Sequence, residues 1–568
     1  PSKINEQSNW RTLLALQILQ MMKRKLEIWT FFTFALLALF LVFLIYPLFG
    51  ILQQSVIDEN GRFTLEQFHK FFTNPYYSST ILNSFSVTIA ITLSTLVLGI
   101  PFAYFYSFYQ LKGAKFLFVV SILCCMSAPF IGAYAWIMLL GRSGVITQGL
   151  AKIGINIGSI YGFKGILFVQ ALKLYPLVFI YMNGAFKNID NSLIEASTSL
   201  GCKGINRFFK IILSLSMPTI LAASLLVFMR SFADFGTPLI IGEGFRTFPV
   251  EIYKQYIGEN GTNHAFAATI SVVAILVTAL VFLIQKWAGK KFTFSINALH
   301  PVEKQRPKGI MGILIYLFTY GLSGIAILPN VYIIYLSFRN CDRSVFKPGY
   351  SLINYTQAAK KLLVRSIQNT FLLGFLSLAL IILISIIIAY LVVRRGNFLN
   401  NTIDTLSMLP YIIPGSVIGI ALAVSFSKPP IVLVGSLWIM VLSLVIRRMP
   451  YTIRSATATL VQIPYSIEEA ALSLGSSKLK TFTKVTVPMM ANGILSGAIL
   501  SWVAIVTELS SAIILYNNKT ITLTMSAYVA ISRGNYGIAA AFSAVLTILT
   551  TISLIIYLFV SKSEDVKV

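Results

Sequence analysis

Apolar residues in this chain run in long blocks rather than alternating with polar ones. A helix needs about 20 of them in succession to cross a bilayer, and twelve stretches qualify. In the first half they are 28–52, 80–107, 116–140, 163–185, 215–241 and 265–287. In the second half they are 310–337, 367–393, 403–427, 431–449, 489–515 and 537–560. The third and ninth contain prolines (Pro129; Pro410 and Pro414), kinks that neighbouring helices can accommodate. The predicted fold class is therefore all-α and integral to the membrane, with about 12 transmembrane helices.

Composition excludes the soluble alternative. The chain has 568 residues, of which 56% are hydrophobic and only 11% charged. A soluble protein of ordinary composition carries about 25% charge. The remaining charge is lopsided, 45 Lys+Arg against 19 Asp+Glu, a formal +26. In a soluble chain that excess would point to nucleic acid; here it reports which side of the bilayer each loop faces. With an even number of crossings, one side collects 27 of the basic residues and the other 15, with Lys173, Arg230 and Arg365 at or within span edges. The richer side is read as the cytoplasm, which places both termini there. Residues 10–25, WRTLLALQILQMMKRK, mix apolar and basic positions without a small-residue cleavage site. They are expected to form an amphipathic helix on the cytoplasmic membrane surface.

The chain is also a duplication. Pro176 pairs with Pro450, Ser192 with Ser466, Glu195 with Glu469 and Ala196 with Ala470, all at an offset of 274. The same offset aligns Ser199-Leu200-Gly201 with Ser473-Leu474-Gly475, and no gap is needed from Pro176 to Ile241. Earlier, Asn83 and Phe85 match Asn369 and Phe371 at an offset of 286. Six spans per half make the repeat parallel, about an axis along the membrane normal. The predicted organisation is a cytoplasmic N-terminal segment (1–27), a first six-helix half (28–287), a cytoplasmic linker (288–309), a second six-helix half (310–560) and a cytoplasmic tail (561–568).

The longest repeated block is a loop on the cytoplasmic side. It reads IEASTSLGCKGINRFFKIILS from Ile194 and EEAALSLGSSKLKTFTKVTVP from Glu468. Each copy predicts a short helix with small residues on one face, a glycine turn and a basic amphipathic helix. This pattern resembles the EAA loop of permease subunits of binding-protein-dependent ABC importers. The second copy matches it at Glu469, Ala470, Ala471, Gly475 and Pro488. The first matches at Glu195, Ala196 and Gly201, with Ser197 for the second Ala and Ser214 for the final Pro. The resemblance implies that these eight positions, Glu195, Ala196, Ser197, Gly201, Glu469, Ala470, Ala471 and Gly475, form coupling helices that dock on an ATPase subunit. It further implies two copies of that ATPase, which would bind ATP and Mg²⁺, an extracytoplasmic substrate-binding protein, and residence in the bacterial inner membrane. A single chain holding both halves looks like the fused permeases for ferric iron, thiamine and 2-aminoethylphosphonate. FADFGTP at Phe232 and TELSSAIILY at Thr507 resemble the ferric-iron branch most closely. Ferric iron is thus the implied substrate, with thiamine, a phosphonate or a polyamine as alternatives on the same scaffold.

The remaining chemistry is sparse. There is no G-x-x-x-x-G-K-[ST] phosphate loop, so the chain is expected to be a pore-forming subunit without its own cofactor or catalytic set. Cys124, Cys125, Cys202 and Cys341, and His69, His264 and His300, show no metal-ligand spacing. Ionisable residues within spans are costly and each is a functional candidate. Asp234 and Glu508 fall near the outer end of equivalent spans, at the 274 offset, and are candidates to line the pathway and transiently ligate a cation. An alternative is that each caps a kinked helix or pairs with a basic neighbour, Arg230 being four residues from Asp234. Lys173 and Arg447, three residues before Pro176 and Pro450, are a second repeat pair that could hold an anion or pair with these carboxylates, the alternative being an interhelical ion pair or a snorkelling side chain. The external loops are short and suit docking of a separate binding protein. A secondary transporter, the alternative class, should show broken helices and more buried charge than this sequence suggests.

Overall fold

The computed structural model describes residues 28–58, 60–156, 158–258, 263–291, 303–342 and 344–561. The expected amphipathic N-terminal segment, half of the linker and all but the first residue of the C-terminal tail lie outside those residues. Eight helices are long and apolar enough to cross a membrane, and three bent helix pairs raise the number to eleven. The remaining expected span is the helix Leu437–Gln462, which carries Arg447, Arg448 and Arg454. Its repeat partner is Phe163–Lys187, which begins 274 residues earlier and does pass as a span.

Several expected spans are interrupted rather than continuous. The stretch 116–140 breaks at Ser127 and Ala128, just before Pro129. The stretch 403–427 becomes Phe398–Ile412 and Gly415–Ser425, bent by 109°. Pro414 sits at that break and Pro410 inside the first helix. A proline removes one backbone donor and crowds the preceding turn, so the second proline of the pair ends the helix. The stretches 215–241 and 489–515 stop at Phe232 and Val506, and short helices follow at Gly236–Ile241 and Ala512–Leu515. The expected span 431–449 is instead the later and longer 437–462. The all-α expectation also misses a small hairpin, Arg339–Asp342 paired with Val345–Tyr350.

The duplication is visible in the packing. Pro75–Phe108 lies along Phe163–Lys187, and Leu363–Arg394 lies along Leu437–Gln462. At Gly99 the first pair closes so tightly that a Cβ would sit 2.7 Å from the Val178 side chain. Helices 217–232 and 491–506 then pack across these pairs in equivalent ways. The first helix of each half crosses to the other half. Residues 28–56 pack on 398–412 and 415–425, while Gly309–Phe338 packs on 114–126 and 129–140. Thr33 donates to Asn400 Oδ1 at 2.9 Å across this boundary, and Tyr134 donates to the Tyr536 carbonyl at 3.0 Å.

The matched residues of the second span in each half explain themselves here. Asn83 Nδ2 donates to the Arg246 carbonyl at 3.1 Å. Asn369 Nδ2 donates to the carbonyls of Lys519 and Ile521, each at 2.9 Å. Ser84 Oγ accepts from Phe248 N–H and Thr370 Oγ1 from Leu523 N–H. Phe85 meets Phe228 at 6.0 Å between ring centroids and Phe371 meets Trp502 at 5.8 Å. Each set staples an irregular loop and the start of a short helix to a spanning helix, supplying donors that lipid cannot.

Replacing Asn369 by Leu removes the donor for two carbonyls and should cost about 1 kcal/mol; Asn83→Leu removes one and should cost less. Unfolding in mixed detergent and SDS would show the order, and equal or reversed effects would contradict the staple.

Candidate translocation pathway and coupling loops

Two regions built from equivalent elements of both halves stand out. The first is a cavity of about 230 Å³ between the halves. Its walls come from the break at 125–130, the last turn of helix 398–412, the middle of helices 163–187 and 437–462, and the ends of helices 217–232 and 491–506. Asp234, Glu508, Lys173 and Arg447 all border it, so the structure brings together the four charged residues singled out by the repeat.

Each carboxylate does two things at once. Asp234 lies just past the end of its helix. Its Oδ2 accepts from Gln170 Nε2 at 2.8 Å and from Thr237 N–H at 3.2 Å, at the start of the short helix 236–241. Lys173 lies within electrostatic reach of it. Glu508 is almost fully buried and is shared by two guanidiniums, those of Arg447 and Arg448. Its Oε1 also accepts from Ser510 Oγ at 2.8 Å and from Ser511 N–H at 3.1 Å, ahead of the short helix 512–515. Cap and cavity wall are therefore not alternatives, because both side chains serve as both, and Glu508 is an ion-pair partner as well.

Two expectations are corrected. Arg230 does not pair with Asp234: the helix ends at Phe232, and Arg230 Nη2 instead donates to the Tyr451 hydroxyl of the other half at 3.1 Å. Both carboxylates already face cationic or hydrogen-bond donor partners, and no cluster of three His, Cys, Asp or Glu exists among the described residues. Buried charge is not sparse, and helices are broken; six ionisable side chains with charge border the cavity. Those two features therefore do not separate an importer from a secondary transporter here. Sequence reasoning missed Arg448, which falls at the very end of the expected span 431–449. The signal was present, since the 274 register that equates Arg447 with Lys173 places Arg448 opposite Leu174, in mid-helix.

The second region is the pair of repeated loops. The helix Asn191–Ser199 opens with Asp190 capping Ser192 N–H at 2.9 Å, and its partner is Ser466–Ser473. Both end in the same hydrogen-bonded turn. Gly201 N–H bonds to Thr198 O and Cys202 N–H to Ser197 O, while Gly475 N–H bonds to Leu472 O and Ser476 N–H to Ala471 O. This is a Schellman motif, which needs a residue with positive φ; Gly201 has φ +80° and Gly475 +84°. Ser197, in place of the second alanine, is buried and bonds back to the Ile194 carbonyl at 2.7 Å, leaving the turn unaltered. Glu195, Ala196, Glu469 and Ala470 are exposed, and Ala471 is half-buried. At the turn, Leu200 and Leu474 project into solvent, 86% and 89% exposed.

Beyond the turns, both copies run through a π-helical stretch, Phe208–Ile212 and Phe482–Thr486. Both then bend, by 73° and 68°, into helices 217–232 and 491–506. Ser214 and Pro488 thus give the same path. The anchors differ. In the second loop Glu468, buried, accepts from Arg394 Nε at 2.8 Å and from the Tyr390 hydroxyl at 3.2 Å. Ile194 fills that position in the first loop and is buried as an apolar side chain.

Comparison with known proteins covers both regions. The sequence pattern of a family described as the inner membrane component of binding-protein-dependent transport systems matches residues 13–294 and 381–564. The chain is 29% identical to the ferric transport system permease protein FbpB of Actinobacillus pleuropneumoniae, over 87% of this chain and 73% of that one. It is 28% identical to a putative ferric transport system permease of Haemophilus influenzae, over 82% and 74%. A putative 2-aminoethylphosphonate transport system permease of Salmonella typhi is 23% identical over 43% of this chain and 86% of its own length. With both halves matched, this chain belongs to the inner-membrane permease family of binding-protein-dependent ABC importers.

Proposed function

We propose that this chain forms the whole translocation pathway of an importer for ferric iron, delivered by an extracytoplasmic binding protein and driven by two ATPase subunits. Similarity to ferric permeases along most of both halves supports the substrate. The observation that carries the mechanism is the continuity, in each half, from exposed loop to cavity. Leu200 and Leu474 present matched apolar knobs for a groove on each ATPase copy, flanked by Glu195 with Ala196 and by Glu469 with Ala470. The basic balance of the chain sets these loops and both termini on the cytoplasmic face, where the partners bind ATP and Mg²⁺.

From each knob a single bent element, 204–232 or 478–506, leads to the carboxylate that follows its far end, Asp234 or Glu508. Drawing the two loops together as the ATPases close on ATP would swing these ends and change which face of the cavity is open. The π-helical stretch and the bend give each lever a point where backbone hydrogen bonds can re-form at low cost. The two levers are anchored differently, one by Glu468 and Arg394, the other by apolar packing around Ile194.

Leu200→Asp with Leu474→Asp should abolish co-purification of the ATPase and lower iron uptake at least about tenfold, with membrane levels of the chain unchanged; Glu195→Ala with Glu469→Ala should act in the same direction. Retained ATPase in these variants would sink the docking role. Arg394→Ala strands a buried carboxylate and should cost about 3 kcal/mol of stability; Arg394→Leu with Glu468→Leu should recover much of it, as read by thermal unfolding. Asp234→Asn with Glu508→Gln should impair uptake of radioactive iron in whole cells while the assembled complex still purifies. Uptake at the parental rate would remove both carboxylates from the pathway.

A further inference from the structure

The cavity carries more positive than negative charge, and the excess has a specific origin. Its charged lining residues are Lys173, Arg230, Arg447 and Arg448 against Asp234 and Glu508. The duplicated positions balance: Lys173 with Asp234 in one half, Arg447 with Glu508 in the other. The two additional cations are the ones the repeat does not contain. Arg448 faces Leu174 in the 274 register, and Arg230 faces Ala504. They come from opposite halves and converge, each within electrostatic reach of the other.

Arg448 has only a shared carboxylate, and no carboxylate pairs with Arg230. Glu508 already serves Arg447 as well as Arg448. Arg230 spends its donors on neutral partners, Nη2 on the Tyr451 hydroxyl at 3.1 Å and Nη1 near Cys125 Sγ at 3.9 Å. Arg447 and Arg448 are 11% and 17% exposed, so bulk water does little to shield them. Cations held this far from solvent need an anionic partner. Guanidinium groups present planar forks of N–H donors that fit the paired oxygens of carboxylate, phosphate and related oxyanions. The cavity has room for such a group, since its 230 Å³ is the volume of about eight waters.

We infer that the cavity is an oxyanion site centred on Arg230 and Arg448, and that cargo enters it bearing anionic oxygen ligands. This rests on the reading of the cavity as the pathway for ferric iron and refines it: the iron crosses as an oxyanion complex, its positive charge masked, rather than as a bare cation that four basic side chains would repel. The same chemistry could be presented by a free oxyanion, and the two sources are separable by experiment.

The test uses the full chain, purified with its ATPase subunits and placed in lipid nanodiscs, with radioactive inorganic phosphate as the probe. Saturable binding is expected, weakened about tenfold or more by Arg230→Gln with Arg448→Gln. It should survive Arg230→Lys with Arg448→Lys in part, and Arg454→Gln, an exposed ion-pair residue outside the cavity, in full. Gel filtration and thermal unfolding establish that each variant is folded, and the lysine pair keeps the test usable should the glutamine pair not fold. No saturable phosphate binding, or binding unchanged in the glutamine pair, overturns the site. In whole cells, doubly labelled ferric phosphate separates the readings. Iron and phosphate entering together, both lost in the glutamine pair, supports the complex. Phosphate binding with no iron uptake supports the oxyanion site and rejects ferric cargo. Iron uptake that is indifferent to both arginines rejects the oxyanion site and leaves ferric transport standing.

Discussion

Charge placed between two apolar helix bundles has to be compensated by neighbours, because hydrocarbon offers no counter-ions and little water. Glu508 is where that constraint is felt most. It lies beyond the last turn of one helix, starts another, and is enclosed by two arginines from a third. Moving it moves all three elements. Asp234 holds the equivalent place with Gln170, Thr237 and Lys173 around it. The break in each lever's far end, the wall of the cavity and the tie to the neighbouring helix are consequences of the same buried carboxylate.

The duplication gives the scaffold, and departures from it give the differences in chemistry. Where the halves agree, they agree in backbone detail: the same π-helical stretch, the same glycine turn, bends within a few degrees of each other. Such irregularities are expensive to build by chance and need the same local sequence twice. Where they differ, the side chains change kind. Ile194 against Glu468 makes one loop anchor apolar and the other ionic. Leu174 against Arg448, and Ala504 against Arg230, make the cavity basic.

Much of this was legible in the sequence. The length of the apolar blocks, the 274 offset and the two loop motifs specify membrane residence, repeat and loop geometry, because each is a local or periodic signal. Gly201 and Gly475 were readable as turn residues, since few other residues tolerate positive φ. What escaped was set by tertiary packing. Pro129 and Pro414 were taken as kinks but lie at outright breaks, where a new helix starts, at Pro414 in another direction. Arg448 was hidden by hydropathy, which makes the second half of helix 437–462 look like a loop; the repeat register would have shown otherwise. Arg230 was four residues from a carboxylate, yet its helix ends first. The exposure of Leu200 and Leu474 is a property of the turn's outward aim, and composition does not report it.

The exchange of first helices sets an order on biosynthesis. Residues 28–56 leave the ribosome long before 398–425, the surface on which they pack. Until then one face of that helix, Thr33 included, waits in lipid without its final partner. The first half therefore cannot be completed before the second is inserted, and Gly309–Phe338 repays the debt in the other direction by settling onto helices already in place. The two halves, although copies, pack as one interlocked unit, and the continuous chain guarantees that each waiting helix has its partner in the same molecule.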